Sequence, residues 1–209
     1  MKRIKLFLVT LTLALFPLKS FAQSSTHQND VAVWISSTQF NDPSITDEGD
    51  RLSFELNENT GYGLSYNRYW TAGFSTELSL QKLGADVDIA FNDEPSVHAG
   101  DLDATAWTGI AQYHFRRATR FSPYVGLGAA YLSGEFNPAD VLESDGRVEF
   151  DNETSLVTNF GADINLTDRI AIALDAKYMK WEPRERDDDA LDRLDVSPLI
   201  VSAGLRVRF

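Results

Sequence analysis

Eight segments of this chain alternate apolar and polar side chains with a period of two. This period is typical of β-strands whose two faces meet different surroundings, and no segment shows the spacing of an amphipathic helix. Turn-forming or acidic stretches separate the segments, so the chain is expected to be all-β. The eight segments are residues 31–40, 60–70, 73–83, 104–115, 122–136, 156–166, 170–181 and 197–209.

The connections between these segments alternate between short and long. Short turns on one side and long loops on the other are typical of up-and-down barrels of the bacterial outer membrane. The long connections are rich in acids, whereas the short ones carry arginines. The pattern predicts an eight-stranded antiparallel up-and-down transmembrane β-barrel. The short connections are residues 70–72, 116–121 and 167–169, and the long ones are 41–59, 84–103, 137–155 and 182–196.

Alternation alone does not decide which face of the barrel points inward. A soluble ligand-binding barrel encloses its apolar face, whereas a membrane barrel turns that face to lipid. The polar faces here combine glycines with acids and bases, which suits a narrow interior where charges must pair. We expect a salt-bridged plug in which Asp175 and Lys177 meet the arginines of the last strand. The predicted lumen-lining charge cluster is Glu77, Asp163, Asp175, Lys177, Arg206 and Arg208.

The first residues predict export. They combine a basic start, an apolar run from Leu6 to Phe16 and a small-residue cleavage site before Gln23. The apolar run is too short for a membrane-spanning helix, which needs about 20 residues, and no later stretch is long enough either. We therefore predict a cleaved signal peptide at 1–22, a polar tail at 23–30 and the barrel at 31–209.

The last strand predicts how the barrel is assembled. Chain ends are usually polar, but this chain ends on Phe209 with an apolar residue at every second position before it. The arrangement resembles the C-terminal signal of bacterial outer-membrane proteins, which their assembly machinery reads. The predicted assembly signal consists of Val201, Ala203, Leu205, Val207 and Phe209.

Three segments resemble strands of the OmpW family of small outer-membrane barrels. They are "RFSPYVGLGAAY" at 120–131, "GADINLTDRIAIALDAKYMKW" at 161–181 and "LDVSPLIVSAGLRVRF" at 194–209. The resemblance implies a barrel that passes small hydrophobic molecules into the bilayer. The lumen of that family is largely apolar, however, and the charges predicted here would obstruct it. Two functions therefore remain open: a narrow conduit with lateral release, or a closed structural barrel whose acidic outer loops bind surface partners or cations.

Composition and motifs argue against other classes of protein. A chain with a net charge of −12 is a poor ligand for nucleic acid, whose phosphates require Lys and Arg. Nucleophile-elbow, zinc-protease and phosphate-loop motifs are missing, and His27, His98 and His114 have no partner placed by spacing. The acidic runs at 86–88 and 187–189 lack the spacing of a calcium loop. We expect neither an enzyme nor a cofactor or metal site.

The expected partners follow from the predicted location. They are outer-membrane lipid and lipopolysaccharide, the outer-membrane assembly machinery and, for the conduit, small hydrophobic solutes. Tryptophan side chains are typical of the aromatic girdles at the two membrane interfaces. We therefore expect most of Trp34, Trp70, Trp107 and Trp181 to lie in those girdles.

Overall fold

The structure is a computed structural model of the chain. The predicted signal peptide, Trp181 and the acidic run at 187–189 lie outside the residues it describes. No helix among the described residues is long and apolar enough to cross a membrane. The described residues are 27–40, 44–47, 50–92, 95–117, 119–139, 148–150, 152–180 and 197–209.

The described residues form one antiparallel sheet of eleven strands. The strands are β1 (Asn29–Gln39), β2 (Ser44–Asp47), β3 (Asp50–Glu58), β4 (Thr60–Tyr69), β5 (Phe74–Phe91), β6 (Val97–His114), β7 (Phe121–Pro138), β8 (Val148–Glu149), β9 (Glu153–Asn165), β10 (Ile170–Met179) and β11 (Leu199–Arg208).

Eight of these strands close into a ring in the order β1, β4, β5, β6, β7, β9, β10, β11. The ring closes because β1 also pairs with β11, in a register that sets Asp30 opposite Arg208 and Gln39 opposite Leu199. β2, β3 and β8 extend the wall on the long-loop side, where β3 pairs with the outer part of β5 and β8 pairs with β7. The predicted eight-stranded antiparallel up-and-down barrel is confirmed.

Alternation separates the two faces of the wall. On β1, Val33 and Ile35 are exposed to the outside, whereas Ala32 and Trp34 are buried. The outward residues of the other ring strands are also mostly large and apolar, and several near the short turns are aromatic, including Trp70, Phe74 and Phe115. Because the apolar face points outward, the wall fits a lipid environment with an aromatic girdle at its short-turn edge.

Two long strands replace a predicted loop. β5 and β6 have 18 residues each, and they include residues 84–91 and 97–103 of the range that the sequence analysis assigned to a connection. The alternation persists there, since Ala85 and Val87 are buried inside while Asp86 points outward. A bilayer is crossed by about 9–11 strand residues, so roughly half of each strand stands above the membrane. Acidic side chains on this part of the strands lie in water, just as they would in a loop.

Two further positions differ from expectation. β1 begins at Asn29, two residues before the predicted start of the barrel. Trp34 is not in an aromatic girdle but points into the lumen, where its side chain is 2% exposed and its indole N–H donates to Ser65. Trp70 and Trp107 do face outward, and both are more than half exposed. The parity of each strand decides these orientations, because neighbouring residues point to opposite faces.

Candidate functional site

The interior of the barrel is divided into a polar level and an apolar level. On β5, counted from the short-turn end, the inward residues are polar as far as Gln81 and apolar from Leu83 onward. β10 and β11 change in the same direction, to Met179 and Ile200 respectively. We call the charged residues of the polar level the charged cluster; they are Asp30, Glu77, Asp163, Asp175, Lys177, Arg206 and Arg208.

Arg206 is the centre of the charged cluster and is fully buried. Its guanidinium contacts three carboxylates, at 3.0 Å from Asp30, 3.2 Å from Asp163 and 3.7 Å from Glu77. Asp163 also accepts a hydrogen bond of 3.1 Å from Arg208. A buried guanidinium is stable only when carboxylates surround it, and these three come from different strands.

Lys177 forms a second centre, toward the apolar level. Its ammonium lies 2.6 Å from Asp175 and 3.2 Å from Glu77. The same ammonium stands 5.5 Å from the centre of the Trp34 ring, within reach of a cation–π interaction. Glu77 therefore links the two centres, because its other oxygen faces Arg206.

Neutral side chains extend the charged cluster across the lumen. The Tyr124 hydroxyl donates to Asp175 at 2.8 Å, and the Asn159 amide donates to the same carboxylate at 2.6 Å. Gln112 then donates to Asn159, and Asn67 donates to Gln112. These partners lie on β4, β6, β7, β9 and β10, so a continuous network spans the interior from wall to wall.

Glycines make room for this network where strands carry large side chains. A methyl group on Gly161 would overlap the ring and the hydroxyl of Tyr124, which lies on the neighbouring strand. Tyr124 can therefore lie flat across Gly161 and reach Asp175. Residue 161 has to be small because of this close approach.

All six residues of the predicted charge cluster are inward and buried, and they contact one another. Their pairing differs from the expectation, because the described ion pairs of Arg206 are with Asp30, Glu77 and Asp163 rather than with Asp175. The register of β10 and β11 explains this, because Asp175 lies opposite Ser202 whereas Arg206 lies opposite Ala171. A narrow eight-stranded interior allows such contacts across its width.

Asp30 was not foreseen in this site. It was assigned to a polar N-terminal tail, yet it lies on β1 and is fully buried beside Arg206. The parity of β1 carries the signal, since Asp30 has the same inward phase as Ala32 and Trp34. Extending the alternation two residues toward the N-terminus would have found it.

Above the charged cluster, most inward residues are apolar, although Thr38 on β1 is buried opposite Ile200. We call these apolar residues the apolar compartment; phenylalanines of the upper wall, including Phe54 and Phe136, pack against it. Its members are Leu83, Ala85, Val87, Leu102, Ala104, Ala106, Ile110, Ala130, Leu132, Val157, Met179 and Ile200.

The wall beside the apolar compartment contains a break in the pairing of β5 with β3 and β4. β3 pairs with β5 up to Glu58 and Ala85, and β4 resumes at Tyr62 and Lys82. Residues 59–61 on one strand thus oppose only residues 83–84 on the other, as in a β-bulge. We call this place the wall interruption. It stands just above the outward apolar residues of β5, where lipid gives way to water.

The predicted assembly residues face away from this site. Val201, Leu205 and Val207 are exposed on the outer face of β11, and Ala203 shares that face. The Phe209 side chain is 58% exposed, while its backbone pairs with Asn29.

In the part of the chain that the structure describes, no three or more His, Cys, Asp and Glu side chains are grouped so that they could hold a metal ion. His114 is buried between Tyr69 and Tyr124, and its Nε2 lies 3.1 Å from the Ser75 hydroxyl. His98 lies outside the wall, 3.3 Å from Asp88.

Comparison with known proteins supports the membrane assignment. A family model described as the outer membrane protein beta-barrel domain matches residues 8–209. No curated protein sequence matches this chain.

Several solved structures share the fold. Outer membrane protein OprG from Pseudomonas aeruginosa is 16% identical with a TM-score of 0.69, over 88% of this chain and 96% of that one. Outer membrane protein AlkL, solved in lipid bilayers, is 16% identical with a TM-score of 0.61, over 93% of this chain and 95% of that one. Neisserial surface protein A is 14% identical with a TM-score of 0.60, over 87% and 97%.

These three proteins are small outer-membrane barrels of the OmpW-like kind, so the resemblance predicted from the sequence is confirmed. At these identities, the likeness to the solved structures concerns the fold. Together with the match over residues 8–209, the outward apolar face shows that the chain belongs to the outer membrane protein beta-barrel domain family and lies in the bacterial outer membrane.

Proposed function

We propose that this protein is a narrow conduit for small hydrophobic molecules, which leave it sideways into the bilayer. The observation that supports the proposal is the change of lining, from the apolar compartment on the outer side to the charged cluster on the periplasmic side. An apolar solute gains about 25 cal/mol per Å² of surface when it leaves water for such a compartment. The charged cluster opposes further descent, because its buried ion pairs would have to separate.

The wall interruption is the exit that this function needs. The pairing of β5 with β3 and β4 skips residues 83–84, so the backbone ladder is interrupted between Glu58 and Tyr62. Leu83 of the apolar compartment lies directly behind it. A solute held beside Leu83 is separated from the boundary between lipid and water by a single layer of backbone.

A disulfide across the wall interruption tests this route. Asn59 Cβ lies 3.8 Å from the position that a Cβ would take on Gly84, which is the spacing of a relaxed disulfide. The chain contains no cysteine, so the double variant Asn59→Cys/Gly84→Cys would form one defined cross-link. We expect oxidation to slow the uptake of N-phenylnaphthylamine by cells that produce the protein, and reduction to restore it.

The single variants Asn59→Cys and Gly84→Cys are the controls, because they carry the same substitutions without the cross-link. Unchanged uptake in a fully cross-linked protein would contradict the lateral exit. Wild-type uptake no faster than in cells lacking the protein would contradict the conduit itself.

A closed structural barrel is the second candidate function. It is favoured by the tight packing of the apolar compartment, whose members are 0–7% exposed. On this alternative, the functional surface is the acidic outer wall, where Asp86 lies directly opposite Asp101 on the same outward face. Like charges directly opposite each other on neighbouring strands repel, so a bound cation or cationic partner would stabilise the wall. Calcium should then raise the melting temperature of the wild type more than that of Asp101→Asn.

A further inference from the structure

One arginine lies on the lipid-facing side of the barrel. Arg68 is the second-last residue of β4 and pairs with Asn29 on β1 and Thr76 on β5. Its neighbour Asn67 points into the lumen and is fully buried, so Arg68 points outward by alternation. The position is at the short-turn edge of the wall, which is the periplasmic edge in an outer-membrane barrel.

The surroundings of Arg68 hold its guanidinium in place. Its Nη1 donates to Asn29 Oδ1 at 3.1 Å, and the Tyr66 hydroxyl donates to the same oxygen at 2.8 Å. The guanidinium carbon lies 5.4 Å from the centre of the Trp70 ring. Trp70 is itself fixed, because its indole N–H donates to Thr76 at 3.0 Å. Four side chains from three adjacent strands thus orient one cation.

No carboxylate pairs with Arg68 among the described residues, and Asn29 Oδ1 is the one acceptor it contacts there. An unpaired charge on the lipid face of a barrel is costly at the bilayer centre and becomes tolerable only near the interface. The exposed aromatic side chains of Trp70 and Phe74 put Arg68 at that interface. The phosphates of the periplasmic leaflet lie at the same depth.

We propose that Arg68, Asn29, Tyr66 and Trp70 form a binding site for the phosphate of a glycerophospholipid in the periplasmic leaflet. A guanidinium presents two parallel N–H donors that match a phosphate, and Arg68 has donors left after its bond to Asn29. Trp70 covers one face of the guanidinium and contacts the acyl chains beside it. Anionic headgroups bind best, because the ammonium of a zwitterionic lipid competes with Arg68 for its own phosphate.

Native mass spectrometry of the purified, delipidated barrel tests the site. Phosphatidylglycerol and phosphatidylcholine are titrated separately into the wild type, Arg68→Gln and Arg116→Gln. Arg116 is a matched control because it is exposed in a turn at the same edge. We expect Arg68→Gln to weaken phosphatidylglycerol binding roughly fivefold, which is the usual contribution of one Lys or Arg side chain near an anionic membrane surface. Arg116→Gln should change the binding less than twofold.

A conservative variant and a soluble probe complete the test. Arg68→Lys keeps the positive charge but lacks the planar pair of N–H donors, and we expect it to bind phosphatidylglycerol with an affinity between those of the wild type and Arg68→Gln. If Arg68→Gln does not fold, the comparison of Arg68→Lys with the wild type tests the site in its place. Glycerol phosphate should not bind, since it has no acyl chains to hold beside Trp70. Equal losses in the Arg68 and Arg116 variants would overturn the site, and so would equal affinity for the two lipids. Tight binding of glycerol phosphate would overturn its assignment to lipid.

Discussion

Arg206 on the last strand donates a hydrogen bond of 3.0 Å to Asp30 on the first strand. Both side chains are fully buried inside the barrel. β1 and β11 are also joined by backbone pairing, so the place where the sheet closes is held on the wall and from within. The charged cluster is therefore part of the closure of the barrel as well as an obstacle in its lumen.

The substitution Arg206→Ala should destabilise the barrel and open its lumen. It leaves the carboxylates of Asp30, Glu77 and Asp163 buried without their central partner, a change that typically costs about 3–5 kcal/mol. We expect a lower midpoint in urea unfolding and a higher conductance in planar bilayers. Arg169→Ala, at an exposed turn position, should alter neither. Large, steady conductance of the wild type would show that the charged cluster does not close the lumen.

Asp30 and Arg206 should be energetically coupled. In a double-mutant cycle with Asp30→Asn and Arg206→Gln, we expect a coupling energy of about 1–3 kcal/mol, as for residues in direct contact. Lys82 supplies the control pair, because it is exposed on the outer face and remote from Asp30. Coupling of Asp30 to Lys82→Gln should stay within about 0.5 kcal/mol. Additive effects of the Asp30 and Arg206 variants would mean that their contact adds no stability.

Gly161→Ala should destabilise the barrel by about 1–3 kcal/mol, the usual cost of an overpacked interior. The added methyl group would displace Tyr124 and break its bond to Asp175. Gly109→Ala is the matched control, since its methyl group would meet Leu78 alone, at 3.7 Å. Removing the ring with Tyr124→Ala should lower the cost of Gly161→Ala without abolishing it, because the methyl group would still lie 2.6 Å from the backbone oxygen of Leu174. A cost that is unchanged without Tyr124 would assign it to that backbone contact alone.

Phe209→Ala should reduce assembly more than stability. The side chain is exposed to lipid, and the substitution keeps the backbone bonds between residue 209 and Asn29. We expect less protein in the outer membrane of cells but normal refolding into detergent micelles. Phe115→Ala removes an equally exposed aromatic from the same edge and should lower neither. Equal losses in both assays would argue for a stabilising role.

The mature protein should begin at Gln23. The basic, then apolar, then small-residue pattern of residues 1–22 predicts cleavage there. N-terminal sequencing of protein from the outer-membrane fraction measures this directly. A mature chain that starts at Met1 would contradict the predicted signal peptide.

Period-two alternation determined most of the fold by itself. A residue's parity sorts it onto one of two faces, and the glycines and paired charges of the polar face, with the apolar end of the last strand, assigned Glu77, Lys177 and Arg206 inward and Leu205 and Phe209 outward without coordinates. The ends of the strands were less certain, because acids such as Asp86 are solvated equally well on a loop and on a strand above the membrane. For the same reason Asp30 was assigned to the polar N-terminal tail, although it lies on β1.

The tertiary structure alone decided which charges meet. Asp175 and Arg206 lie on adjacent strands, yet Arg206 contacts Asp163 and, across the lumen, Glu77. Strand tilt and the stagger of neighbouring strands set the height of each residue, and these are properties of the closed ring rather than of any segment. The split into an apolar compartment and a charged cluster arises in the same way, because it depends on how the inward residues of several strands, β5 and β11 among them, align across the lumen.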